Sequence, residues 1–109
     1  MFIVDENPEF TRKVKVLVPT NGGHQQQDFT ATFRVVPVDE SAQFDLTTSS
    51  GVLDMIKHVL VRCDGLGNRS KEPVEWNDQV RDQLLAKPYT RSPILAAYFA
   101  AINGEREGN

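Results

Sequence analysis

The sequence contains few of the residues that build disulfides and metal sites. It has one cysteine, Cys63, and two histidines, His24 and His58. One cysteine cannot close an intramolecular disulfide, and these three residues fall short of the four ligands of a structural zinc site. We therefore expect a reducing compartment and no bound metal or other cofactor.

Long apolar runs and an excess of positive charge are also lacking. No stretch approaches the roughly 20 residues that span a bilayer. Met1 to Pro8 has neither the basic start nor the apolar run of a signal peptide. The net charge of −3 disfavours nonspecific binding to nucleic acid. These absences predict a soluble cytoplasmic protein with neither a nucleic-acid nor a membrane partner.

The composition is that of a globular chain, with 39% apolar and 25% charged residues among 109. The order of patterns predicts an α+β fold in which an N-terminal antiparallel β-hairpin packs against about three helices. We expect one domain over 1–109, with a loose arm at 1–9 and a loose tail at 105–109. The hairpin would span 10–37 and the helical part 49–104.

Two stretches of alternating apolar residues indicate the strands of the hairpin, at about Thr11 to Val18 and Phe29 to Val36. A tight turn at Asn21-Gly22 would place glutamines opposite valines. We favour a longer loop over 20–27, to which we assign no role, because it keeps every facing pair apolar. The predicted pairs are Val18 with Phe29, Val16 with Ala31, and Val14 with Phe33.

Basic residues collect on the predicted outward side of the hairpin. Lys13, Lys15 and Arg34 lie there, with Arg12 at its edge. Lysines on an exposed strand commonly prevent pairing between sheet edges. We interpret this strip as protection of the edge, since it lacks the interleaved aromatic residues that stack on nucleic-acid bases.

The second half of the chain carries helical patterns. Ser49 or Ser50 could cap a helix that ends near Val59, and 59–63 could finish either as helix or as a third strand. Asn77 is the predicted cap of the next helix. Between them, 64–73 is rich in turn-forming residues and predicts a loop.

The last helix is predicted to begin at Pro93, after a Ser92 cap, and to end before Gly104. Its bulky residues lie on one side of the helix and its alanines on the other. The alanines either are exposed helix formers or allow another chain to approach closely. Our hypothesis is that Ala97, Ala100 and Ala101 contact a partner, and that replacing Ala97 or Ala100 by glutamate spares the fold.

The apolar patterns together predict a core built from both strands and three helices. Its members are Val14, Val16, Phe29, Phe33, Ile56, Leu84, Ile94, Tyr98 and Ile102.

Candidate catalytic residues are sparse. Asp54 and His58 are four residues apart and could pair on one helix, but no nucleophile motif accompanies them. Cys63 lies in an apolar run, where a buried structural thiol is common. We therefore predict a helix-surface ion pair, no catalytic residue and no enzymatic activity.

Several spaced positions carry a resemblance to a known family. They are Val14-x-Val16-x-Val18-Pro19, Phe29-x-Ala31-x-Phe33, Leu53-x-x-Ile56-x-x-Val59-Leu60-Val61, Asp64-Gly65-Leu66, Leu84-Leu85, Pro88, Ile94-x-x-Ala97-Tyr98, Ala101, Gly104 and the nearby Asn109. This order resembles the tail assembly chaperones of long-tailed phages and prophages of the siphophage type. Cys63 departs from it, since a tryptophan is expected before the Asp-Gly turn.

The resemblance implies a non-enzymatic protein of the host cytoplasm. Its partners would be the tape measure protein and the tail tube protein, whose assembly it would assist, and it could also form homo-oligomers. A structural tail or head–tail connector protein of a phage is the alternative. A small enzyme would instead require a polar pocket around Asp54, His58 or Cys63.

Overall fold

A computed structural model describes residues 1–106, in which a three-stranded antiparallel sheet packs against helices. The elements in chain order are β1 (Glu9–Thr20), β2 (Gly23–Arg34), α1 (Val38–Ser41), α2 (Ser49–Val59), β3 (Leu60–Asp64), α3 (Asp78–Leu85) and α4 (Pro88–Ile102). The sheet order is β1-β2-β3. The α+β class and the N-terminal hairpin are confirmed, and the open question at 59–63 is answered by a third strand. Of the predicted loose tail, 107–109 lie outside the described residues.

The predicted hairpin register is wrong. Val14 pairs with Phe29 instead of Phe33, and Val16 pairs with Gln27 instead of Ala31. The strands continue to a tight reversal at Asn21-Gly22, where Gly22 takes the left-handed φ of 85° that glycine tolerates. The predicted loop over 20–27 is therefore mostly strand. Val18 likewise faces Gln25, so the glutamines do lie in the apolar row.

The solvent-facing side of the hairpin explains this register. Opposite charges face each other where Glu9 pairs with Arg34 and where Lys15 pairs with Asp28. The predicted register would have placed Lys13 opposite Arg34, and two like charges in that position repel each other. The tight turn also orders fewer loop residues, which lowers the entropy cost of closure.

One face of the sheet carries the core and the other is exposed, as is common for antiparallel sheets. The core is formed by Val14, Val16, Phe29, Ala31, Phe33, Met55, Ile56, Val59, Leu60, Cys63, Leu85, Ile94 and Tyr98. Seven of the nine predicted members are among them. Phe10, which was not predicted, packs its ring 5.6 Å from that of Phe33 and 6.1 Å from that of Tyr98.

Two predicted core residues are misplaced. Leu84 is only half-buried, and the buried residue on α3 is its neighbour Leu85. Ile102 is 44% exposed because it is the last residue of α4, beyond the turns that pack on the sheet. Helical spacing identified which side of the last helix is apolar. It did not show where along that helix the contact with the sheet ends.

The caps correct further boundaries. Thr48, rather than Ser49 or Ser50, caps α2, because its hydroxyl accepts a hydrogen bond of 3.0 Å from the Gly51 amide. Asn77 caps α3 as predicted, accepting from the amide of Val80 at 2.8 Å. Upstream of α2, residues 38–41 form the short helix α1, which the sequence patterns did not predict.

The last helix begins at Pro88 instead of Pro93. Proline suits the first position of a helix, and Pro93 lies within the second turn, where it removes one backbone hydrogen bond.

The buried Thr90 hydroxyl lies 2.7 Å from the Leu84 carbonyl oxygen and 2.9 Å from that of Lys87. Arg91 donates to the Leu85 carbonyl at 2.6 Å and to the Ser49 hydroxyl at 2.9 Å. These bonds join α4 to α3 and α2 and fix its direction across the sheet.

Candidate partner-binding site

The side of α4 that faces β1 is built of small residues. Ile94 and Tyr98 anchor the helix in the core, and the alanines within three positions of Tyr98 turn toward the edge strand. At the C-terminal end, Gly104 adopts a φ of 82°, and the amide of Glu105 donates to the Ala100 carbonyl at 2.9 Å. This closure places Glu105 and Arg106 at the end of the alanine row.

A cleft of about 260 Å³ lies between this row and β1. Strand and helix line it with Arg12, Lys13, Val14, Lys15, Pro93, Ala96, Ala97, Ala100, Ala101, Glu105 and Arg106. We call it the β1–α4 cleft. Since β1 is an outer strand of the sheet, one side of its backbone has no neighbouring strand among residues 1–106. The cleft therefore combines a smooth apolar wall with a sheet edge that can accept another strand.

The rim of the β1–α4 cleft is basic. Arg12, Lys13, Lys15 and Arg106 line it together with one acid, Glu105. The Arg12 guanidinium carbon lies 5.2 Å from the centre of the Phe10 ring, so this side chain is held at the edge of the core face rather than on the outward side. A chain whose net charge is −3 thus presents a locally positive surface at this cleft.

All three alanines of the partner-binding hypothesis line this cleft and are half-buried. The sequence pattern implied that these alanines lie on the side of α4 opposite the core. They lie instead on the side of the helix that faces β1. Ala97 packs against the core, so a glutamate there would disturb the fold as well as the surface. Ala100 and Ala101 lie further along the helix and are better positions for testing contact with a partner.

Sequence reasoning missed the contribution of Arg12, Lys15 and Arg106 to the same cleft. The strip of strand residues and the alanine row were each recognised, but more than 80 positions separate Lys15 from the first of these alanines along the chain. Only the packing of α4 on β1 brings them together. A sequence signal did exist in the lysines of this strand, because lysine is common on sheet edges and β1 is an outer strand of the sheet.

The candidate catalytic residues are not assembled into one site. The predicted pair of Asp54 and His58 is replaced by a contact between His58 Nε2 and the Glu40 carboxylate at 2.9 Å. Glu40, on α1, reaches the histidine because α1 lies beside α2. Both side chains are substantially exposed.

Cys63 is buried on β3, beneath the helices. Burial raises the pKa of its thiol to about 12 from 9.0, and the charge of Asp64 acts in the same direction. The thiol is therefore protonated at neutral pH and is a poor nucleophile. Across residues 1–106, no three His, Cys, Asp or Glu side chains come close enough together to hold a metal ion.

No helix in the described part of the chain is both long and apolar enough to cross a bilayer. Comparisons with models of protein families, with curated proteins and with solved structures found no match to this chain.

Proposed function

We propose that this chain is a non-enzymatic assembly chaperone of a phage or prophage tail. In this proposal it binds the tape measure protein in the host cytoplasm and assists assembly of the tail tube. The proposal comes from the order of spaced apolar residues, which resembles that of siphophage tail assembly chaperones. The structural observation that supports it is the open β1–α4 cleft, which offers a surface for binding a partner.

The cleft suits a client segment that is apolar on one side. Ala97, Ala100 and Ala101 form a wall over which bulky client side chains can pack without displacing protein atoms. The basic rim would then contact acidic groups beside those side chains. Neither interaction requires a cofactor, and neither changes a covalent bond in the client.

The test is capture of a siphophage tape measure protein by this chain. Both proteins are co-expressed, and the chain is pulled down through a tag as wild type, as Ala100→Glu and as Ala42→Glu. Ala42 is exposed at the end of α1 and does not line the cleft, so it is a matched control for the same chemical change. We expect wild type and Ala42→Glu to retain the client and Ala100→Glu to lose it.

Capture that is equal for all three proteins would exclude the cleft as the client site, and no capture by wild type would contradict the chaperone proposal. The alternative is a structural tail or head–tail connector protein, which would be found in purified virions. A chaperone is expected in assembling cells but not in finished particles.

A further inference from the structure

The N-terminal arm, residues 1–8, projects apolar side chains into solvent. Phe2 is 89% exposed and Val4 is 88% exposed. Large apolar residues clustered in this way commonly mark a contact with another molecule. Asp5 and Glu6 follow directly, so the arm joins an apolar segment to two acids.

The arm and the β1–α4 cleft are complementary. The cleft has an alanine wall, a sheet edge and a basic rim, whereas the arm has bulky apolar residues followed by negative charges. In an extended conformation, Phe2 and Val4 would point to one side and Asp5 to the other. A strand added beside β1 could thus direct Phe2 and Val4 to the alanines and Asp5 to the outward row that includes Lys15.

The arm of the same chain cannot fill this cleft. The Pro8 carbonyl accepts a hydrogen bond of 3.2 Å from the Val35 amide, which holds the end of the arm in line with β1. Even a tight reversal at Glu6-Asn7 would bring Val4 opposite Glu9 and Phe2 opposite Thr11. Phe2 and Val4 would then not reach the part of the cleft beside Lys13 to Lys15.

We propose that the β1–α4 cleft binds the N-terminal arm of a second copy of this chain, which adds to β1 as an extra strand. Main-chain hydrogen bonds along β1 provide the pairing, and Phe2 and Val4 packed against Ala97 and Ala100 set the position. The arm and the proposed client bind the same cleft, so they compete for it. The arm occupies the cleft when no client is present. The self-association itself does not depend on the proposed function, because both partners are this chain.

A crosslinking experiment on purified protein tests the contact. Val4→Cys and Ala100→Cys variants are purified separately with tags of different size, mixed and oxidised. Native Cys63 is only 2% exposed and should stay unreacted. We expect a disulfide between the two tagged chains, and much less product when Ala42→Cys replaces Ala100→Cys.

Sedimentation tests whether the arm drives association. Wild type should sediment as an oligomer, Phe2→Asp with Val4→Asp as a monomer, and Phe2→Leu as wild type does. The substituted side chains are exposed, so circular dichroism should show an unchanged fold. Asp5→Lys should weaken association, and added salt should weaken it in wild type.

Three results would overturn the inference. They are a wild type that stays monomeric at high concentration, a disulfide that forms equally with Ala42→Cys, and association that survives the aspartate substitutions. Loss of client capture with intact self-association would contradict the proposed function alone.

Discussion

Gly51, in the first turn of α2, has no room for a side chain. A Cβ added there would collide with the Asp45 carbonyl oxygen and crowd the Thr48 hydroxyl. Alanine normally favours helix over glycine by about 1 kcal/mol, but here we expect Gly51→Ala to lower the free energy of unfolding in urea. Gly23→Ala is the control, since nothing lies within 4 Å of its added Cβ. A Gly51→Ala protein as stable as wild type would show that the 45–48 turn can move away.

Phe33 is the most enclosed aromatic residue of the sheet. It is 0% exposed, and its ring lies 5.5 Å from that of Tyr98. We expect Phe33→Ala to cost about 3 to 5 kcal/mol of unfolding free energy, because it leaves a cavity that the surrounding side chains fill only in part. Thermal and urea melts measure the loss. Phe2→Ala, at an exposed position, should melt as wild type does under conditions where the chain is monomeric.

The Cys63 thiol should report the integrity of the core. Because its pKa is raised to about 12 in the folded protein, the folded state holds its proton in a pH range where the unfolded chain releases it. This contribution to stability is complete below about pH 9 and is lost as pH rises toward 12. We expect slow reaction with a thiol reagent at pH 8 and rapid reaction in urea. Equally fast reaction in both would contradict the burial of Cys63.

At the level of single residues, alternation along the strands was sufficient to predict Val14, Val16, Phe29 and Phe33 as core. It did not identify Phe10, because one aromatic residue beside acids and a proline forms no pattern until the strand is known to begin at Glu9. The exchange of Leu84 for Leu85 has a similar origin. A helix of eight residues has too few turns for its apolar side to be fixed by spacing alone.

Among the elements, α2 offers a direct test of its boundary. The Thr48 hydroxyl accepts from the Gly51 amide and lies 3.0 Å from the Asp45 carbonyl oxygen. We expect Thr48→Ala to destabilise the protein by about 1 kcal/mol, the usual cost of losing a helix cap. Ser50→Ala should be close to neutral, although Ser50 was one of the two predicted caps. If Ser50→Ala lowered the free energy of unfolding in urea more than Thr48→Ala does, Ser50 would be the cap instead.

The hairpin shows why local patterns predict strands more reliably than their alignment. Apolar alternation shows which face of a strand is buried. In either register, Val14 and Phe29 lie on the buried face, so the alternation does not decide between the two. The choice was made by residues on the other face, including Lys15 opposite Asp28, and by the turn at Gly22. A comparison of charge pairing in the two registers would have favoured the observed one.

For the whole molecule, the hairpin determines the shape. The protein measures 48 × 30 × 28 Å, and its radius of gyration of 14.8 Å exceeds the roughly 13 Å expected for a compact chain of this length. The elongation follows from two strands of twelve residues that extend beyond the helices. The β1–α4 cleft is likewise a property of the whole molecule, because it needs two elements from opposite ends of the chain.

The half of the hairpin next to the turn, which carries the glutamines, is expected to open locally. From Thr20 to Gln27, the side chains are exposed, and backbone hydrogen bonds to β1 provide most of what holds this part of β2 in place. Such a ribbon opens from its turn inward without unfolding the core. Amide hydrogen exchange should therefore be fast at Gln25 and progressively slower toward Phe33, so that one strand records both local fraying and global unfolding.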